Sequence, residues 1–224
     1  MNDKDPSADK VDVGTLPEVI PLFPLSGVIL LPRSHLPLNI FEPRYLTMVR
    51  DALQSDSVIG MIQPKEPATP ANEPPLFQVG CLGRIVQHED TPDGRILLAL
   101  EGLARFKITE ELARITPYRK AQVSYDAFEH DGAEASLGQP DQRKTLIETM
   151  KKYLDLRGLQ ADWDALSLAP DERLINAMAM ICPFEPGEKQ ALIEAAELDQ
   201  RADLMITLMN FALQAGTGPG GQPH

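Results

Sequence analysis

The chain has 224 residues and a formal net charge of −12 at neutral pH, from 21 basic and 33 acidic side chains. Nucleic acids and anionic membranes bind basic surfaces, so this balance argues against both as partners. The two cysteines are far apart and the four histidines are scattered, which disfavours a disulfide framework and a zinc site. No metal or cofactor is therefore expected.

The first 16 residues are polar and acidic, without hydrophobic periodicity, and we expect a disordered tail there. They contain no apolar secretory segment, and no stretch of the chain approaches the roughly 18 apolar residues of a membrane span. A cytoplasmic location is the default expectation.

The next stretch, residues 20–53, predicts three short strands and a helix. Apolar runs at 20–23 and 28–31 end at prolines, and residues 36–40 alternate between apolar and polar side chains. Pro43 suits the first position of a helix, because the missing N–H has no intrahelical partner there. The apolar stripe of that helix consists of Leu46, Met48, Val49, Ala52 and Leu53.

Several further strands are predicted up to residue 128. A central strand is expected at 58–62, and the proline-rich residues 63–75 form a loop. Turn residues at 91–94 predict a hairpin between flanking strands, and residues 118–128 supply another alternating segment. Short strands with closely spaced turns indicate a mainly antiparallel sheet or open barrel over residues 17–128.

The hydrophobic period changes to that of helices after a polar, glycine-containing link at 129–140. Helices are predicted from about residue 141, from 170 to 182, at 186–196 and at 199–214. We therefore expect an α+β protein with a helical half at 141–214 and a disordered tail at 215–224.

Long motifs in both halves resemble the N-terminal domain of Lon proteases. They include IPLFPLSGVILLP at 20–32, LPLNIFEPRY at 36–45, VGCLGRI at 79–85, LALEGLARF at 98–106 and PYRKAQV at 117–123. The segment LINAMAMICPFEPGEKQALIE at 174–194 resembles the helical part of the same domain. The resemblance covers about residues 16–213, and it implies a PUA-like fold for the β-rich half.

The resemblance also implies a function without catalysis. The phosphate-binding pattern GxxxxGK[ST] is absent, and no Ser–Lys peptidase pair can be argued, so we expect no enzymatic activity. A substrate-recognition module would bind unfolded or apolar polypeptide segments, as an accessory to protein quality control that could work with a protease or chaperone.

Two alternatives stay open. Lon-like N-terminal domains also occur in ubiquitin-ligase substrate receptors, which implies a pocket for a small molecule or modified amino acid. RNA binding is suggested only by the PUA-like fold, and the negative charge opposes it.

Candidate contact residues flank the proline-rich turns, where apolar side chains are expected at the surface: Leu31, Pro32, Met61, Leu76 and Phe77. Glu42, Arg44 and Arg105 are the charged residues predicted to form a structural network, because carboxylates and guanidinium groups make strong paired hydrogen bonds.

Overall fold

A computed structural model of the chain describes residues 11–66 and 73–216, which divide into two compact units. The first unit comprises Met1–Glu134 and Pro183–Glu194, and the second comprises Ala135–Cys182 and Ala195–His224. The combination of strands and helices confirms the predicted α+β class. Part of the predicted loop, residues 67–72, and the predicted tail residues 1–10 and 217–224 lie outside the described residues.

The first unit is built on a six-stranded mixed sheet. Its strands are β1 (Val19–Pro24), β2 (His35–Ile40), β3 (Val58–Ile62), β4 (Val79–Asp90), β5 (Ile96–Glu111) and β6 (Arg119–Ser124). The strand order is β2-β5-β4-β3-β1-β6, and β5 also pairs with β6, so five strands close into a barrel and β2 remains at the edge. Only β1 and β3 run parallel among these pairs.

The long strand β5 pairs with different partners at its two ends. Residues 96–101 pair with β2, and residues 107–111 pair with β6. Register shifts along β4 and β5, at Leu82/Gly83 and Ile85/Gln87, mark β-bulges. Bulges increase strand twist, which allows one strand to leave the edge region and close the barrel.

The predicted strand at residues 28–31 is wrong. This segment has no sheet pairing, although Ile29, Leu30 and Leu31 are all buried. The Leu31 carbonyl lies against Gly102, where a Cβ atom would come within 2.0 Å of that oxygen. The apolar run therefore indicates that the segment is buried. Hydrophobic periodicity alone cannot distinguish a buried segment from a paired strand.

The barrel interior includes Ile20, Leu22, Leu82 and Phe106, and it extends further towards the N-terminus than expected. Val11, Val13 and Leu16 pack against this core, and Val13–Thr15 forms a short 3-10 helix. The Val11 N–H donates to the Gly132 carbonyl at 3.1 Å. The prediction of a disordered tail is thus wrong for residues 11–16. The burial of three apolar side chains stabilises this segment against the core, although its overall composition is polar.

Helix α1 (Pro43–Leu53) begins at Pro43, as predicted, with Glu42 at its N-cap position. The buried face consists of Tyr45, Met48, Val49 and Ala52. Leu46 and Leu53, which the sequence placed on the stripe, are only half-buried. The helix is therefore rotated so that an aromatic side chain, Tyr45, faces the barrel unit.

The second unit contains α2 (Pro140–Leu156), α3 (Trp163–Leu168), α4 (Asp171–Ile181) and α6 (Leu198–Gly216). A buried polar chain joins two of these helices: Arg201 donates to Asn176 Oδ1 at 2.8 Å, and Asn176 donates to Glu172 Oε1 at 3.4 Å. Within the described ranges, none of the helices has the length and apolarity needed to cross a membrane.

Helix α5 (Pro186–Glu194) was predicted in the helical half, and the structure instead places it in the barrel unit. Gln190 donates to the Val79 carbonyl at 3.1 Å, and Gln63 donates to the Pro186 carbonyl at 3.0 Å. Both glutamines are buried, so these hydrogen bonds satisfy groups that would otherwise be costly to desolvate.

The predicted link at 129–140 is also wrong for its first part. A 3-10 helix spans Asp126–Gly132, and Asp131 is buried against the barrel, where it accepts hydrogen bonds from Arg105. The barrel unit accordingly continues to Glu134. No local pattern indicates the burial of Asp131, because its partner lies 26 positions earlier in the chain.

Candidate functional site

A groove of about 470 Å³ opens on the barrel unit beside strand β2. One wall is formed by the six consecutive residues 36–41. Successive side chains of a strand point to opposite faces, so a cavity that touches all of them lies along the strand edge and not over one face. The end of β1 with the segment that follows it to Val28, the start of α1, and the segments around residues 64, 73, 114 and 118 supply the remaining lining.

The lining is mainly apolar and aromatic. Phe23 and Tyr45 pack edge to face with ring centroids 4.5 Å apart, and both are buried. Leu36 and Leu38 are half-buried, whereas Phe41 at the end of β2 is 62% exposed. An apolar surface that remains accessible in the folded unit is suited to binding apolar groups from outside.

Charged side chains cover one part of the groove and centre on Glu73. Arg44 contacts Glu73 Oε1 at 3.0 Å and Glu42 Oε2 at 2.9 Å, and its guanidinium carbon lies 4.5 Å from the centroid of the Tyr45 ring. Arg114 forms an ion pair with the other oxygen of Glu73, and Arg119 donates to the Pro74 carbonyl at 2.8 Å. Three arginines thereby hold residues 73–74 at the groove.

These contacts determine the protonation states in the groove. The hydrogen bond from Arg114 holds the pKa of Glu73 below its ordinary value, so this carboxylate stays ionised at neutral pH. Burial raises the pKa of Tyr45. Burial, with a hydrogen bond from the hydroxyl to Asp51 Oδ2 at 2.7 Å, raises the pKa of Tyr118 to about 12. Both tyrosines are thus neutral at physiological pH.

The sequence-predicted contact residues do not line this groove. Leu31, Pro32, Met61 and Leu76 are buried, and Phe77 is half-buried. The premise that they lie at the surface is wrong for the first four, because proline-rich turns can bend back onto the core. Leu76 pairs with Pro64 in an isolated bridge, which draws this part of the loop inward.

The predicted charged residues separate into two places. Glu42 and Arg44 form the expected ion pair, with side chains 44% and 34% exposed, at the groove. Arg105 is buried elsewhere in the unit and binds Asp131. The single network expected for Glu42, Arg44 and Arg105 is therefore wrong.

Sequence reasoning missed Phe41, Tyr45, Glu73 and Arg114. A signal for Phe41 was available, because it is apolar at the opposite parity to Leu36, Leu38 and Ile40 and lies two residues before Pro43. No local pattern links Glu73 to Arg114, which is 41 positions away. Across the described ranges, no group of three or more His, Cys, Asp or Glu side chains could hold a metal ion.

Comparison with known proteins matches residues 19–210 to the family described as the ATP-dependent protease La (LON) substrate-binding domain. The chain belongs to this family. It is 27% identical to the Lon protease of Dictyoglomus thermophilum over 201 residues, and 26% identical to Lon protease 2 of Myxococcus xanthus over 198 residues. These alignments cover 83% and 87% of the chain, but only 23% and 24% of the relatives, so the chain spans about a quarter of their length.

Two solved structures share the fold. The Lon N-terminal domain protein from Xanthomonas campestris superposes with a TM-score of 0.60 at 21% identity, and the alignment covers 84% of this chain and 97% of that one. The N-terminal domain of Lon protease from Mycobacterium avium complex gives the same TM-score at 15% identity, covering 86% and 98%. The Lon substrate-binding domain is a recognition domain, and it is not the catalytic part of those proteases.

Proposed function

We propose that this chain binds exposed apolar segments of unfolded polypeptides in the groove beside β2, without catalysis of its own. The observation that carries the proposal is the accessible apolar wall of the groove, ending in Phe41, in a member of the Lon substrate-binding family. The relatives from Dictyoglomus thermophilum and Myxococcus xanthus are proteases, and their cleavage chemistry is not part of the proposal.

The groove limits the affinity that such binding can reach. A flexible client loses conformational entropy when it is ordered on the surface, and this cost offsets much of the gain from apolar burial. A dissociation constant in the micromolar range, equivalent to about −8 kcal/mol, is the expected result. Because apolar burial contributes most of the attraction, added salt should weaken binding little.

The test is a titration of a fluorescently labelled, permanently unfolded client with the wild-type chain and with two matched variants. Phe41→Ser removes the exposed aromatic side chain of the groove. Phe211→Ser removes a phenylalanine that is 70% exposed but lies on α6 and does not line the groove. We expect Phe41→Ser to weaken binding about tenfold or more, for a loss of roughly 1.5–3 kcal/mol of apolar burial, and Phe211→Ser to bind like wild type.

Both substitutions affect exposed side chains, so thermal unfolding should change little and loss of folding will not be mistaken for loss of binding. Equal affinity of wild type and Phe41→Ser would reject the groove as the binding site. Equal loss in both variants would indicate non-specific hydrophobic adsorption.

A second candidate function is the binding of a small molecule or modified amino acid. The groove volume of about 470 Å³ favours it, because small-molecule sites occupy roughly 300–1,000 Å³. A short RNA titrated in parallel, at low and moderate salt, tests the third possibility, since phosphate binding weakens steeply with salt. The absence of a binding signal with both the client and the RNA would favour the small-molecule pocket.

The cellular role is proposed on family membership. The chain would act in the cytoplasm as an accessory to protein quality control, presenting clients to a protease or chaperone. Affinity capture from the native cytosol tests this role. Recovery of many unfolded clients together with a protease or chaperone would support it, and recovery of one stoichiometric folded partner would contradict it.

A further inference from the structure

We infer that a client binds by adding a strand to the free edge of β2, so that its backbone is recognised as well as its apolar side chains. This inference rests on the proposed function and specifies its mode. It commits the groove to one occupant, an extended and uncharged apolar polypeptide segment.

The first observation is that β2 is an edge strand. It pairs with β5 on one side, and among the described residues no other strand pairs with it. Gly102 donates its N–H to the Ser34 carbonyl at 2.9 Å, next to the pairing of His35 with Glu101. Hydrogen-bonded and non-hydrogen-bonded residues alternate in an antiparallel pair, so the even-numbered residues of β2 bond to β5.

The odd-numbered residues of β2 consequently direct their backbone groups to the open edge. These are His35, Pro37 and Asn39, and no hydrogen bond to their backbone from that side exists within the described part of the chain. Pro37 fits this orientation, because a proline without an N–H is tolerated where the strand has no partner. The edge thus offers the carbonyls of all three residues and the N–H groups of His35 and Asn39.

The second observation is that the groove runs along this edge. All six residues at positions 36–41 line it, so a strand placed beside β2 would occupy the groove itself. A paired strand lies about 4.8 Å from its neighbour and points alternate side chains to each face, which would direct apolar side chains towards Phe23 and Tyr45.

The third observation concerns charge. Exposed edge strands are usually protected against pairing by charged side chains, by proline or by a covering segment. Strand β2 carries Pro37 but, besides its single histidine, no charged side chain. The arginines of the groove are balanced by carboxylates, Arg44 and Arg114 by Glu42 and Glu73 and Arg119 by Glu111, so the groove suits an uncharged apolar segment.

Backbone recognition is tested by N-methylation of a short labelled peptide of alternating leucine and serine. Each peptide N–H is methylated in turn, which removes one donor and leaves the side chains unchanged. Strand addition predicts a period of two: methylation of N–H groups that face β2 weakens binding about tenfold, and methylation at the intervening positions changes it less than about twofold. A uniform effect, or none, would overturn the inference.

The protein side is tested by two substitutions of one exposed residue. Asn39→Pro removes one of the two N–H groups of the free edge, and Asn39→Ala, which also loses the side chain but keeps the N–H, is the reference. We expect folded Asn39→Pro to bind the peptide about tenfold or more weakly than Asn39→Ala. Equal affinity of the two folded variants would contradict strand addition; if Asn39→Pro does not fold, the N-methylation pattern decides.

If the peptide binds and Phe41→Ser weakens it without a period of two, only the strand-addition mode fails; if no peptide binds, the proposed function fails as well.

Discussion

Arg105 binds Asp131 through two nitrogens of its guanidinium group, with Nη2 2.7 Å from Oδ1 and Nε 2.9 Å from Oδ2. Both residues are more than nine-tenths buried. The Arg105 backbone N–H donates to the same carboxylate at 2.8 Å, and the Arg105 side chain also donates to the Ile193 carbonyl at 3.1 Å. One ion pair thereby joins β5, the 3-10 helix after β6, and α5.

This geometry predicts that Asp131→Ala destabilises the barrel unit by about 3–5 kcal/mol, because it leaves a buried guanidinium group without its counter-charge. Chemical denaturation followed by circular dichroism measures the change. The full set of hydrogen bonds makes the loss of this one carboxylate more damaging than the loss of an ordinary surface charge.

The matched control is Arg44→Ala at the groove, where both partners of the ion pair are about one-third to one-half exposed. Exposed pairs contribute roughly 0–1 kcal/mol, so this variant should unfold nearly as wild type does. A loss at Arg44 as large as that at Asp131 would contradict the assignment of Arg105–Asp131 as the structural pair.

The raised pKa of Tyr118 predicts that the folded state loses stability at alkaline pH. Its pKa is raised from 10.0 to about 12 by burial and by the hydrogen bond to Asp51, so the folded state holds the phenolic proton more tightly than the unfolded state does. The corresponding stability is fully present below pH 10 and is lost as the pH rises through about 12. Denaturation midpoints should therefore fall over this range.

Tyr118→Phe removes the titrating group and provides the comparison. The variant should show a smaller decrease in midpoint between pH 10 and 12, and difference absorbance of tyrosinate should identify one late-titrating phenol that it lacks. Identical alkaline profiles would show that the environment of Tyr118 does not carry the effect.

The close approach of Gly102 in β5 to the segment that leads to β2 predicts that a side chain at position 102 would clash with the backbone. A Cβ atom there would lie 2.0 Å from the Leu31 carbonyl oxygen and 3.2 Å from Pro32 Cα. The obstacle is backbone, which cannot rotate away, so Gly102→Ala should destabilise the unit by about 3 kcal/mol or more. Thermal and chemical unfolding of purified protein measure this loss.

Gly187 in α5 is the control, because a Cβ atom added there meets nothing within 4 Å. Gly187→Ala should be neutral or slightly stabilising, since alanine favours helix. If Gly102→Ala were equally neutral, the close approach of Leu31 to β5 would be wrong, and with it the path that leads the chain into the edge strand.

Local chemistry allowed much of the fold to be predicted. Pro43 marks the start of α1, the alternation at residues 36–40 marks β2, and the turn residues at 91–94 mark the hairpin between β4 and β5. These signals involve neighbours in sequence, whose conformational preferences act without the rest of the chain. The family motifs extended the same reasoning to nearly the whole chain.

The sequence by itself determined most of the strands and helices, and that the chain is acidic. Only the tertiary structure decided that Leu31, Met61 and Leu76 lie inside, that Asp131 is the partner of Arg105, and that Phe41 stays exposed at the end of an edge strand. Hydrophobicity records a tendency to be buried but not the place of burial. Barrel closure and pairing across tens of residues settle that place, because they determine which faces and strand edges remain open to solvent.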